Sequence, residues 1–80
     1  MLTIKCAACN TKLFRYRKIG QGKVLRCHKA RIKRIWNMPV ITPEGDVLCP
    51  ACGRLIARDA GRHFDMIKSG FTYTGTKENL

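Results

Sequence analysis

Apolar and polar positions along this 80-residue chain alternate in short runs with a period near two, the spacing of half-buried strands rather than helices. Leu2-Thr3-Ile4 leads into a cysteine pair. Lys12 to Lys18 (KLFRYRK) then reads as a strand, Gly20-Gln21-Gly22 as a turn and Lys23 to Cys27 as the returning strand, because glycines on both sides of one residue supply the positive φ of a tight hairpin. In the first of these strands Phe14 and Tyr16 share a face and oppose Leu13, Arg15 and Arg17, so burying the aromatics turns the arginines outward. Ile32, Ile35 and Trp36 fall at helical spacing, yet a β-branched pair beside an aromatic also suits a strand, which is the preferred reading. Met38 to Asp46 carries two prolines and a Glu44-Gly45-Asp46 turn and reads as a loop. Beyond it, Asp46-Val47-Leu48 and Leu55 to Arg58 flank a second cysteine pair, while His63 to Lys68 and Phe71 to Tyr73 flank a turn at Ser69-Gly70. Each half is predicted to be a cysteine-bearing turn followed by strands.

A chain of this length makes a single domain, expected over 1–80, and buries too little apolar surface to be comfortably stable by its core alone. The N-terminal stretch lacks the apolar run of a signal peptide, and charges interrupt every apolar stretch short of the roughly 20 residues of a membrane-spanning helix. The expectation is a reducing, cytoplasmic setting with no membrane partner, where five cysteines favour metal over disulfides.

The cysteines carry the chemistry. Cys6-Ala7-Ala8-Cys9 and Cys49-Pro50-Ala51-Cys52 deliver four thiolates as two i, i+3 pairs, which close a tetrahedral shell around one zinc ion per chain and leave no position open for water. Sulfur ligands also suit iron. A redox-active dithiol is a third reading, but that chemistry sits at a helix N-terminus in a βαβ setting, which this strand-rich pattern lacks. Cys27, followed by His28, reads as a small buried apolar residue in preference to a substitute ligand or a reactive thiol beside a base. Asp59, His63 and Asp65 read as a solvated polar face, since no nucleophile or third ligand accompanies them, and no catalytic residue is assigned.

The net charge of +11 is one-sided: residues 1 to 43 hold 11 cations and no acid, whereas residues 44 to 80 hold five of each. Such asymmetry points to a polyanion, most commonly nucleic acid. Arg15, Arg17 and Lys18 alternate with Phe14 and Tyr16, and Lys23, Arg26, Lys29, Arg31, Lys33 and Arg34 lead up to Trp36. Cations contact phosphates and aromatic faces stack on unpaired bases, so these basic residues and Trp36 are the candidate nucleic-acid-binding set.

Cys6-x-x-Cys9-Asn10 and Cys49-Pro50-x-Cys52-Gly53 resemble the two knuckles of a zinc ribbon. The resemblance implies a tight turn between strands at each knuckle, with a left-handed residue after its second cysteine, a conformation that Gly53 adopts freely and Asn10 tolerates. The chain departs from that pattern in one respect: 39 residues separate Cys9 from Cys49, where about 15 to 20 is usual. The insertion, residues 10–43, is the basic segment. Leu13-Phe14-Arg15-Tyr16, Gly20-x-Gly22 and Phe71 to Thr76 also resemble small prokaryotic zinc-ribbon proteins. Similar knuckles hold iron in rubredoxins, whose inter-knuckle gap is closer to this one but whose chains are shorter and acidic. The expected fold is a small β-rich zinc ribbon with short antiparallel strands and an inserted basic hairpin. The expected role is a non-catalytic nucleic-acid-binding module, RNA preferred to DNA; the alternatives are an adaptor that docks its basic face on an acidic protein and a rubredoxin-like iron electron carrier.

Overall fold

The computed structural model describes residues 1–18 and 24–75. Among them the chain forms nine strands: β1 (Leu2–Cys6), β2 (Lys12–Tyr16), β3 (Arg26–His28), β4 (Ile32–Ile35), β5 (Val40–Ile41), β6 (Asp46–Leu48), β7 (Leu55–Asp59), β8 (His63–Met66) and β9 (Phe71–Gly75), with a single 3-10 turn at Lys29–Arg31. No α-helix forms among the described residues. The strands make two antiparallel sheets, ordered β4-β2-β1-β9 and β3-β8-β7-β6-β5.

In β1, and in β2 apart from one residue, period-two patterning decides which side is buried. In β1, Leu2, Ile4 and Cys6 are inward and Thr3 and Lys5 are half-exposed. Phe14 and Tyr16 of β2 are buried and Arg15 is exposed, as their alternation predicts, yet Leu13 is buried as well. The reason is a bulge: Ile4 pairs with Phe14 but Lys5 pairs with Lys12, so Leu13 is the extra residue that breaks the alternation. The segment ending at Trp36 is a strand, β4, which pairs with β2.

The expected hairpin between Lys12–Lys18 and Lys23–Cys27 does not form. Both edges of β2 are already taken, by β1 through the first cysteine turn and by β4, so β3 pairs instead with β8 in the other sheet. The Gly20-Gln21-Gly22 turn itself lies outside the described residues, as do Lys23 and Thr76. The strands of the basic segment divide between the sheets: β2 and β4 go to one, β3 and β5 to the other. β8 and β9, on either side of Ser69-Gly70, likewise separate into the two sheets. The expected loop before Asp46 contains a strand, because the Thr42 carbonyl and hydroxyl accept the Gly45 and Asp46 N–H groups and close a β5–β6 hairpin, with Gly45 at φ 89°.

Leu2, Ile4, Phe14 and Tyr16 of the first sheet and Val47, Ile56, Ala57 and Phe64 of the second belong to one core cluster. Phe14 and Phe64 meet across it with ring centroids 6.3 Å apart. Fully burying a side chain of this size contributes about 1.5–3 kcal/mol. Tyr16 adds a polar link, its hydroxyl donating to the Arg26 carbonyl (3.3 Å) and accepting the His28 N–H (3.0 Å), which leaves its buried oxygen satisfied.

The turn after β8 braces both cysteine turns. Gly70 accepts the Ala7 N–H at 3.2 Å, and Arg54 donates to the Ser69 carbonyl through Nη2 at 2.9 Å. A methyl group on Gly70 would collide with the Leu55 carbonyl and approach the Ile56 Cα to 2.9 Å, both backbone atoms that do not move aside. Gly70→Ala is expected to cost about 1–3 kcal/mol by overpacking, read as a lower urea midpoint of the metal-loaded protein.

Candidate metal centre and cationic face

The two cysteine turns are built alike. Each lies in a hairpin, β1–β2 or β6–β7. In the first, Cys6 N–H donates to Thr11 and Asn10 N–H to Cys6; in the second, Cys49 N–H donates to Arg54 and Gly53 N–H to Cys49, all at 2.9–3.0 Å. The Ala8 and Ala51 N–H groups point at the Sγ atoms of Cys6 and Cys49, each 3.4 Å away. Both turns end left-handed, at Asn10 (φ 58°) and Gly53 (φ 78°), which is why an Asn and a Gly stand there.

Because the hairpins belong to different sheets, the thiols meet across the seam between them. Cys6 Sγ lies 3.5 Å from Cys52 Sγ and Cys9 Sγ 3.6 Å from Cys49 Sγ, and all four sulfurs fall within 4.8 Å of one another. A tetrahedron with metal–sulfur bonds of about 2.3 Å has edges of about 3.8 Å, so the spacing fits one four-coordinate metal. All five cysteines are unbridged. Cys6 and Cys49 are buried and Cys9 and Cys52 face outward.

Four adjacent thiols do not ionise independently. The Thr11 hydroxyl, 3.0 Å from Cys9 Sγ, and the Thr11 backbone N–H lower the Cys9 pKa to about 6. Cys52 receives a lowering contribution from the Arg54 backbone, but the neighbouring thiols of Cys6, Cys9 and Cys49 and desolvation outweigh it and push its pKa up to about 12. A metal cation bound there would resolve the conflict by holding all four as thiolates.

Cys27 is outside this group. It is fully buried in the core, and burial pushes its pKa up to about 12 against the pull of Lys18. A thiol in that state is inert. Cys27→Ser is expected to keep one metal per chain and to lower unfolding stability by about 1–3 kcal/mol, because a buried hydroxyl there has to find a partner.

Asp59, His63 and Asp65 are tied into the second sheet. Lys29 Nζ lies 2.8 Å from Asp59, whose pKa this bond and the Gly61 N–H lower. One Asp65 oxygen serves both His63 Nε2 at 3.0 Å and Arg26 Nε at 3.6 Å.

The candidate basic residues divide between two environments. Arg26 and Lys29 are offset by the carboxylates just named, and Arg31 is half-buried in the 3-10 turn. Arg17 and Lys18 follow β2, and Lys33 is the exposed extra residue of β4. Arg15 and Arg34 are direct cross-strand partners on the outer face of the four-stranded sheet, as are Lys5 and Lys12. None of that sheet's strands contains an acid, and none of those four cations has a carboxylate partner among the described residues. Trp36, half-buried beyond β4, closes one end of the face, with Lys12 Nζ 5.4 Å and Arg34 Cζ 5.7 Å from its ring centroid.

Sequence reasoning missed Lys5, Lys12, Thr11, Arg54 and Gly70. The Thr3/Lys5 alternation marks a face of β1, but its place beside β2 depends on the sheet order. Among the described residues no helix is long and apolar enough to cross a membrane. No family model, curated protein or solved structure matches the chain.

Proposed function

We propose that this chain is a zinc-stabilised, non-catalytic module that binds single-stranded nucleic acid, RNA in preference to DNA, across the outer face of the β4-β2-β1-β9 sheet. One observation carries the reading: two like-charged pairs, Arg15 with Arg34 and Lys5 with Lys12, stand directly opposite each other on a sheet whose strands contain no acid. Such pairs destabilise a sheet. A phosphate backbone laid across the strands removes that repulsion, and the threonines on the same face, Thr3, Thr72 and Thr74, offer hydroxyl donors. Zinc is preferred to iron because the ligand set suits both metals while the strongly basic chain is unlike the acidic rubredoxins.

The adaptor reading retains one supporting observation, the exposed Ile35, Met38, Val40 and Ile41 beside edge strands β4 and β5. Fluorescence anisotropy with RNA, single-stranded DNA and heparin at several salt concentrations separates the two. Four phosphate contacts give a log affinity against log salt slope of about −2.8, at roughly 0.7 per phosphate. Binding to RNA no tighter than to heparin at moderate salt overturns the nucleic-acid reading in favour of the adaptor.

A further inference from the structure

The pairing of β3 with β8 brings together two imidazoles that are far apart in sequence: His28 and His63 are direct partners in its register. The Lys29 N–H donates to the Arg62 carbonyl at 3.0 Å, the bond that brackets a non-hydrogen-bonded pair, so the two side chains leave the sheet at the closer of its cross-strand spacings. They share a face with Arg26 and Asp65, opposite the buried Cys27 and Phe64. The ring centroids are 5.6 Å apart and the planes are tilted by 53°, so the rings are not stacked.

An ion held at about 2.0–2.1 Å by an imidazole nitrogen lies about 3.2 Å from the ring centre, so two rings sharing it at a tetrahedral angle have centres about 5.2 Å apart. The observed 5.6 Å corresponds to an angle of about 120° at such an ion. Asp65 adds a contact between side chains: its Oδ1 lies 3.0 Å from His63 Nε2. A neutral imidazole that donates Nε2–H to a carboxylate carries its lone pair on Nδ1. The contact thus fixes the orientation and tautomer of the His63 ring, the part a carboxylate plays behind metal-bound histidines. Arg26 Nε, 3.6 Å from the same oxygen, opposes a bound cation, but Arg26 is exposed and water and salt screen it.

We propose that His28 and His63 form a second metal site, separate from the four cysteines, which takes one divalent transition-metal ion of the kind imidazole favours, zinc, nickel or copper(II). Asp65 is its positioning residue. Two protein nitrogens leave the remaining coordination positions to solvent, and His28 is exposed, so the ion exchanges more readily than one enclosed by four sulfurs. The Cys49–Cys52 turn enters β7 at Leu55, whereas His63 lies beside the Asp59 end of that strand, about 13 Å along it. The two centres therefore load independently.

The test titrates nickel(II) into the tag-free full chain, ¹⁵N-labelled and already carrying its cysteine-bound metal. One further ion should bind, broadening the amide signals of His28 and His63 first by its paramagnetism and releasing none of the metal already bound. His28→Gln and His63→Gln, each first shown to keep the cysteine-bound metal and native amide dispersion, should each weaken nickel binding by about tenfold or more. Because His28 is exposed, its substitution leaves the core intact, and it decides the matter alone if His63→Gln does not fold. Asp65→Asn should cost about tenfold with metal content and dispersion unchanged, and Asp65→Glu should restore most of that loss. Arg26→Gln, which removes a competing cation, should strengthen binding about twofold. Nickel binding that survives His28→Gln, nickel taken up only by exchange at the cysteines, or silent His28 and His63 amides at millimolar nickel overturns the inference, and each outcome leaves the nucleic-acid reading untouched.

Discussion

Chelating the metal expected at the four cysteines should unfold the protein. Elemental analysis of the purified chain should give one zinc and little iron per chain, and excess chelator should collapse the amide dispersion that zinc restores. The cause is where the cysteines sit: Cys6 and Cys9 hang from the four-stranded sheet and Cys49 and Cys52 from the five-stranded one, so one ion held by all four would clamp the two sheets along their seam. Structural zinc contributes on the order of 10 kcal/mol or more, comparable to the whole net stability of an ordinary domain. Without it the four thiols also revert to a cluster whose members resist simultaneous ionisation. Cys6→Ser and Cys49→Ser should each lose tight metal binding and cooperative unfolding, in contrast to Cys27→Ser. A metal-free protein that keeps native dispersion would contradict this account, and a coloured, iron-loaded protein would restore the electron-carrier reading.

Arg15→Gln combined with Arg34→Gln should weaken binding to single-stranded RNA across all sequences and make the salt slope shallower by about 1.4, at roughly 0.7 for each lost phosphate contact. The same double substitution should leave folding stability unchanged or raise it slightly, because it removes a like-charge pair from the sheet. This opposite movement of binding and stability distinguishes a binding face from a structural one. Lys29→Gln and Arg58→Gln, at cations already paired with Asp59 and Asp46, should alter RNA binding far less. Equal losses from the two sets would show that net charge alone attracts RNA and that the sheet face has no special part. Trp36→Ala adds a separate readout: a loss of about 1–3 kcal/mol in binding with the fold intact identifies base stacking, whereas an unchanged affinity leaves the ring as a support for Lys12 and Arg34.

Much of this protein was legible in its residues, and the reason is locality. The i, i+3 spacing of each cysteine pair, the Asn and Gly that close the turns left-handed, and the alternation in β1 and β8 all act over a few residues, so the four-cysteine site and much of the strand content follow from short windows. Burial of Cys27 and outward placement of Arg15 belong with them. Pairing is a different matter, since a strand's partner depends on which edges remain free after every other strand has been placed. The segments either side of Gly20 to Gly22 carry the signs of a hairpin, yet β1 and β4 occupy both edges of β2 and send β3 to β8. The bulge at Leu13 offsets the register of a single strand pair and so reverses the side on which one apolar residue lies. Charge shows the same division most clearly. The chain separates acid from base at about residue 43, but the fold separates them by sheet, drawing Arg26 and Lys29 to the acids of the second and gathering Lys5, Lys12, Arg15 and Arg34 on the first. Local sequence determined which groups are cationic and which turns hold sulfur; competition among strand edges, which only the assembled fold resolves, decided which cations face one another.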